Sequence, residues 1–322
     1  MVKSNEKSDK TVYITMISGL FSGSIAKLFT HPIDTIKAKI QIDEGKGTKI
    51  SNVFKNTIKA EGFRGLYKGL PVSIFGSMPA SVLYFGSYEW AKKKLLLIKN
   101  FSHGEFLMYF LGGMFAETVA CLIYVPVDVI KERRQVQNNL NSYKYKNDFD
   151  ALFTILKQER LGGIYKAYWA TVFSFGPMSA FYFMFYEYFK GYFVRNDAKT
   201  YIQRIKNEEI EKLKELKLDI SFKESLLCSA LAGSLASLIT NPLDLVKLRM
   251  QVQRANESFR SDKAVYKNLI QGLSLISQTE GMPGLFKGSL ARVLYHSPTT
   301  AISMSILEAM KPIIRKTFNE DI

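Results

Sequence analysis

Apolar stretches of membrane-spanning length alternate with charged connections along this chain. Residues 11–33 hold one charge, Lys27, and residues 70–88 hold none. Residues 106–127 hold only Glu117, and residues 168–186 and 225–243 hold none. A sixth, weaker stretch, 289–307, contains Arg292 and His296. About 20 apolar residues cross a bilayer as a helix. The pattern therefore predicts an all-α membrane protein with six transmembrane helices.

The stretches carry a triple repeat. Pro32-Ile33-Asp34-Thr35-Ile36-Lys37, Pro126-Val127-Asp128-Val129-Ile130-Lys131 and Pro242-Leu243-Asp244-Leu245-Val246-Lys247 end the first, third and fifth spans. Gln41, Gln135 and Gln251 each follow their proline by nine residues. The even spans share a second spacing, Tyr88-Glu89-x-x-Lys92, Tyr186-Glu187-x-x-Lys190 and Leu307-Glu308-x-x-Lys311. Each of these glutamates lies ten residues after a proline, Pro79, Pro177 or Pro298. Between the two helices of a repeat stands a further motif, Glu61-Gly62…Tyr67-Lys68-Gly69 in the first and Glu280-Gly281…Phe286-Lys287-Gly288 in the third. The middle copy has Arg160 and Ala167 in place of two glycines, and a differently closed turn is expected there.

The boundaries follow from the repeats: a tail 1–10, repeat one 11–104, repeat two 105–194, a charged insert 195–220, repeat three 221–318 and a tail 319–322. The Lys/Glu-rich insert reads as a solvated helix or a disordered loop.

Composition narrows the function classes. The 322 residues carry 44 Lys and Arg against 29 Asp and Glu, a net charge of +15. The cations fall beside apolar spans rather than in one aromatic-laced patch, so anionic lipid is the expected contact and nucleic acid is not. Mean hydropathy is −0.03, low for a membrane protein, as polar connections and polar residues inside the spans would make it. Cys121 and Cys228 lie in apolar spans and act as small hydrophobes. His31, His103 and His296 have no ligand-like spacing, and no P-loop or nucleophile–base pair is visible. No catalytic residue, metal or cofactor is expected. The N-terminus MVKSNEKSDK is neither a secretory signal nor a typical transit peptide, so organellar targeting would be internal.

Over residues 11–318 these motifs resemble those of the mitochondrial carrier family. The resemblance implies six helices in a pseudo-threefold barrel around a central cavity, working as a monomer in the inner membrane. Both termini would face the intermembrane space, and anionic lipid such as cardiolipin would bind. It also implies two gates. On the matrix side Asp34 would pair with Lys131, Asp128 with Lys247 and Asp244 with Lys37, each braced by Gln41, Gln135 or Gln251. On the cytoplasmic side Glu89 would meet Lys190, Glu187 would meet Lys311 and Glu308 would meet Lys92, with Tyr88 and Tyr186 beside them.

Helical geometry adds two residues between the gates. Glu117 lies 11 positions before Asp128, and Lys27 lies seven before Asp34. At 100° per residue each falls within about 20° of its aspartate's face. They would hold the amino-acid end of a zwitterion, or pair with each other. The resemblance implies further contacts two or three residues before the even-span prolines: Gly76 and Ser77, Ser174 and Phe175, Tyr295 and His296. His296 is either a neutral lining residue or a direct contact. Arg292 lies nearby, but the set has little fixed charge, which disfavours nucleotides.

Two subfamilies are similar in different places. Residues Glu117–Pro126 with Gly76–Pro79 resemble S-adenosylmethionine carriers, although Ser174-Phe175 stand where those carriers usually have Arg-Glu. Residues Ala291–Ser303 resemble mitoferrins, without their fourth-helix Met-Asn pair or first-helix histidine. The expected function is alternating-access transport of a small polar or cationic metabolite, with S-adenosylmethionine as the leading substrate. Iron transport, or a carrier fold without a transport role, is the alternative.

Overall fold

A computed structural model describes residues 2–43, 49–96, 105–140, 144–204, 222–253 and 266–317. The first span is α1 (Val2–Ile42), continuous with the residues expected as a tail. A short helix α2 (Ile50–Glu61) and a 3-10 turn (Phe63–Tyr67) lead to α3 (Leu70–Leu96). Repeat two contributes α4 (Glu105–Leu140), α5 (Asp148–Ile164) and α6 (Tyr168–Arg204). Repeat three contributes α7 (Phe222–Ile239), α8 (Asn241–Val252), α9 (Leu269–Thr279), α10 (Gly281–Leu285) and α11 (Ser289–Thr317). Of the charged insert, residues 195–204 continue α6, and 205–220 lie outside the described residues.

The spans close a ring in chain order, and α1, α4 and α8 also touch one another where the repeated motif stands. The ring turns an ordinary protein inside out. Phe75, Val82, Phe115, Leu122, Phe173 and Leu231 face outward, while Asp34, Lys37, Gln135, Lys247 and Gln251 are buried. That distribution suits a lipid exterior around a polar interior. Among the described residues, Phe63–Leu95 and Leu111–Asn138 are apolar and long enough to cross a membrane by composition alone. The pair Lys223–Ile239 and Asn241–Val252 also qualifies if its 65° bend is counted within one span.

That bend marks a difference between repeats. Pro32 and Pro126 sit inside continuous helices, whereas Pro242 stands at the start of α8 after a break at Thr240. The break is held by Asn241, which is fully buried and whose Nδ2 donates to the carbonyls of Leu285 at 2.9 Å and Lys287 at 3.3 Å. His31 occupies the same position before Pro32, and its Nε2 lies 2.9 Å from the Lys68 carbonyl oxygen. It is a structural tie between α1 and the second motif.

The degenerate turn of repeat two is not closed differently, contrary to the sequence expectation. Arg160 has φ 56° and ψ −156°, close to the φ 66° and ψ −173° of Gly62. Ala167 has φ 63°, against φ 77° at Gly69. Packing of α5 and α6 imposes the backbone, and two L-residues carry the strain of the left-handed region, about 1 kcal/mol or more each. Arg160→Gly and Ala167→Gly should therefore each raise stability by about 1 kcal/mol. Gly69→Ala should lower it, because the new Cβ would stand 2.9 Å from the Lys131 Cα. Thermal melts with a thiol-reactive dye, reading exposure of the buried Cys121 and Cys228, check all three. Unchanged melts in the two glycine variants would show the turns to be unstrained.

Candidate functional site

The repeated motif brings its charges together across helices rather than within them. Lys131 Nζ lies 2.9 Å from Asp34 Oδ2, Lys247 Nζ 2.7 Å from Asp128 Oδ2, and Lys37 Nζ 2.7 Å from Asp244 Oδ2. Each pair joins two repeats, so three pairs tie α1, α4 and α8 into one ring. The side chains are between 8% and 19% exposed, where Coulomb attraction is stronger than in water and desolvation opposes it.

The glutamines break the symmetry. Gln135 Nε2 donates to Asp34 Oδ2 and Gln41 Nε2 to Asp244 Oδ2, both at 3.2 Å. Gln251 Nε2 instead points to Thr171 Oγ1 at 3.4 Å. Arg292 adds a further cation at Asp244, its Nε 3.5 Å from Oδ2 and its Nη1 donating to the Ser237 carbonyl at 2.8 Å. At 3% exposure Arg292 belongs to the ring's surroundings more than to open cavity.

A set of residues that the sequence reading missed fastens this ring to the short helices. Lys39, Arg133 and Arg249, each seven after a motif proline, bond Glu61, Glu159 and Glu280 of the second motif. Gly65, Gly163 and Gly284, four residues after these glutamates, leave room for the folded-back carboxylates; a Cβ there would lie 2.3 or 2.4 Å from the glutamate Cβ. Equal spacing in three repeats was the signal available.

The fastening is uneven. Arg133 Nε also donates to the Gln251 carbonyl at 3.0 Å, and Lys166 Nζ to the Gln253 carbonyl at 2.6 Å, clamping repeat two to repeat three. Arg249 Nε reaches the Gln41 carbonyl at 3.0 Å and Lys287 the Asp43 carbonyl, clamping repeat three to repeat one. Lys39 and Lys68 both turn to Glu61, and among the described residues neither bonds repeat two.

Above the ring, Glu117 and Lys27 do not pair with each other among the described residues. Lys27 Nζ donates to the Ser73 carbonyl at 3.2 Å, and Glu117 Oε1 receives Cys121 Sγ at 3.4 Å. Both are half-buried. Asp34, Asp128 and Lys131 are electrostatic neighbours of Lys27, and Asp128 and Lys247 of Glu117. Both charges thus lie within electrostatic reach of the ring.

The other positions differ in kind. Gly76 lies where α3 approaches α4, and a Cβ there would stand 2.2 Å from Val127 Cγ2. Ser77 Oγ donates to the Ile74 carbonyl at 3.0 Å, and Ser174 is buried. The Phe175 ring centroid lies 5.1 Å from Lys247 Nζ, a cation–π contact with the ring of ion pairs. Tyr295 and His296 meet edge to face at 5.1 Å, and Tyr295 is close enough to Asp34 and Lys131 to feel their charge.

At the opposite end, Tyr88 stacks on Tyr84 at 6.4 Å and Tyr186 on Tyr182 at 6.1 Å. Glu89 and Glu187 are exposed, and Lys190 is half-buried. No ion pair joins Glu89 to Lys190 among the described residues. The side chains of Glu308 and Lys311, and so the two pairs expected of them, lie outside the described side chains.

Six spans in three repeats, an ion-pair ring at one end and charged residues above it define a membrane solute transporter. Residues 8–99, 102–197 and 219–318 each match the mitochondrial carrier protein family, and the chain belongs to that family. It is 32% identical over 322 residues to "Mitochondrial substrate carrier family protein E" of Dictyostelium discoideum, covering 97% of this chain and 98% of that protein. It is 29% identical over 297 residues to the "Mitochondrial S-adenosylmethionine carrier protein" of Danio rerio, covering 92% and 96%. Identity to "Mitoferrin-1" of Mus musculus is 26% over 320 residues, covering 97% and 86%.

Proposed function

We propose that this carrier moves a small polar or cationic metabolite, S-adenosylmethionine in the first place, across the inner mitochondrial membrane by alternating access. The observation that supports the reading is that Glu117 and Lys27 lie within electrostatic reach of the ring and, among the described residues, do not pair with each other. A zwitterionic amino-acid end fits such a pair, its ammonium on Glu117 and its carboxylate on Lys27, through charge-assisted hydrogen bonds. Likeness to proteins named as S-adenosylmethionine carriers supports the choice of solute.

In this reading Asp34, Lys37, Asp128, Lys131, Asp244 and Lys247 are the matrix gate, held by Gln41 and Gln135, with Gln251 docked on Thr171. Glu89, Lys92, Glu187, Lys190, Glu308 and Lys311, with Tyr88 and Tyr186, form the cytoplasmic gate. Each gate carries three pairs, so the two closed states differ by only a few kcal/mol, a gap that substrate binding can shift. Gly76, Ser77, Ser174, Phe175, Tyr295 and His296 shape the chamber between them, and Arg292 backs Asp244 at its floor.

The carrier is proposed to act as a monomer with anionic lipid on its flank. A cavity of about 1240 Å³ opens between the start of α6 and α9, lined by Trp169, Phe173, Met250 and Lys267. Its apolar wall and lysine suit an acyl chain below a phosphate.

Uptake of labelled S-adenosylmethionine into proteoliposomes tests the substrate. Saturable uptake is expected, reduced by about 10- to 100-fold in Glu117→Gln, as the loss of a hydrogen bond to a charged group predicts. Uptake of ferrous iron without S-adenosylmethionine would replace this reading with the mitoferrin-like one.

A further inference from the structure

The layer just beyond the ring is apolar in two repeats and charged in the other. Ala38, Glu132 and Leu248 each follow a ring lysine by one residue. Ala38 and Leu248 belong to a buried cluster with Ile42, Val136 and Val252, which joins α1, α4 and α8 and plugs the end where those helices meet. Glu132 is 7% exposed, and its Oε2 has no hydrogen-bond partner. Among the described residues it belongs to no ion pair.

The charges facing it are Asp128 and Lys131 from its own helix, Lys37 from α1 and Lys247 from α8. Those lysines are already bonded to Asp244, Asp34 and Asp128, which leaves their hexad neutral. Arg292, from α11, is committed to Asp244 and the Ser237 carbonyl. With Arg292 the ring holds four cations against three aspartates, yet each cation is bonded to an aspartate, so Glu132 is left without a dedicated partner. Burying a carboxylate without a dedicated partner is costly, and protonation removes that cost.

We propose that Glu132 is a proton-binding site linked to the gate. It holds a proton while the plug is closed and gives it to the water that enters when α1, α4 and α8 part. The proposal rests on reading the ion-pair ring as a gate. Only one O–H bond of the carboxyl forms and breaks, and the proton comes from and returns to water on that side of the membrane. The closed state binds one proton more than the open state. Acid on that side therefore favours closure, and closure is lost as pH rises through the closed-state affinity.

Disulfide formation reports the closed plug. Ala38→Cys with Leu248→Cys is placed in a full-length chain carrying Cys121→Ser and Cys228→Ser. Cross-linking under a fixed oxidant is followed over about pH 6 to 9 with Glu132 present and with Glu132→Gln. Thiol ionisation is common to both chains and cancels in their ratio. That ratio should rise with pH in favour of Glu132→Gln, by up to about tenfold per pH unit in the active window. Glu132→Leu, which copies the third repeat, should follow Glu132→Gln. Parallel profiles in all three chains would overturn the proton site. Asp34→Asn in the same background separates the two readings. It should lower cross-linking at every pH; if it does, parallel profiles sink only the proton site, and if it does not, gate and proton site fall together.

Discussion

Reversing Asp34 and Lys131 one at a time should abolish uptake, and reversing them together should restore it to within about tenfold of the parent. Asp34→Lys places an ammonium beside Lys131 in a site where the partners are 8% and 14% exposed. Breaking a buried pair costs about 3–5 kcal/mol because a charge is left uncompensated. At about 1.4 kcal/mol per tenfold, that is a factor of more than a hundred in the closed-gate population. The joint reversal returns the attraction but not the surroundings. Gln135 Nε2 now donates to Asp34 and Thr35; after reversal the amide must turn over to offer its Oε1 to the ammonium, which gives up the Nε2 bond to Thr35. Partial rescue is therefore the expected signature of a real pair. A double variant as inactive as the single ones, with an unchanged melting temperature, would refute the pairing as a gate.

Arg133→Ala should destabilise the protein far more than Lys39→Ala, although both residues occupy the same repeat position. Removing Arg133 strands Glu159, 5% exposed, and frees the Gln251 carbonyl that Nε now holds. About 3–5 kcal/mol at roughly 2–4 °C per kcal/mol gives a fall on the order of 10 °C. Removing Lys39 leaves Glu61 bonded to Lys68 at 2.5 Å, so the carboxylate keeps a cation. Its cost should be less than half. Dye-monitored melts of the two variants decide the matter; equal falls would show that the clamp between repeats two and three has no special weight.

The ring was readable in the chain because a repeat announces itself three times. Asp34, Asp128 and Asp244 stand at one offset from one proline, and the family resemblance assigned their partners. Lys39, Arg133 and Arg249 obey the same logic, but a Lys in one repeat and an Arg in the other two make the match less plain. The middle turn was misread for a different reason. Propensity says that Arg160 and Ala167 avoid positive φ, but a turn held between two packed helices keeps its shape and the residues bear the strain.

Where the repeats part company, the sequence had less to say. Gln41, Gln135 and Gln251 look alike in the chain, yet among the described residues only the first two reach a ring aspartate, while Gln251 Nε2 turns to Thr171 Oγ1. Arg292 looks like a binding residue and folds down onto Asp244. Glu132 is one charge among 73 in the chain until its repeat counterparts, Ala38 and Leu248, are seen to lie in a buried apolar cluster.

Sequence alone thus gave six spans, three repeats and the charges at their ends, because bilayer thickness and helical period impose themselves on every span alike. Which cation meets which carboxylate beyond the repeated motif, which clamp is missing and which acid is left over depended on the folded ring. Those contacts link residues from 22 to 208 positions apart, and which side chains meet across such separations is decided by the packing of the helices.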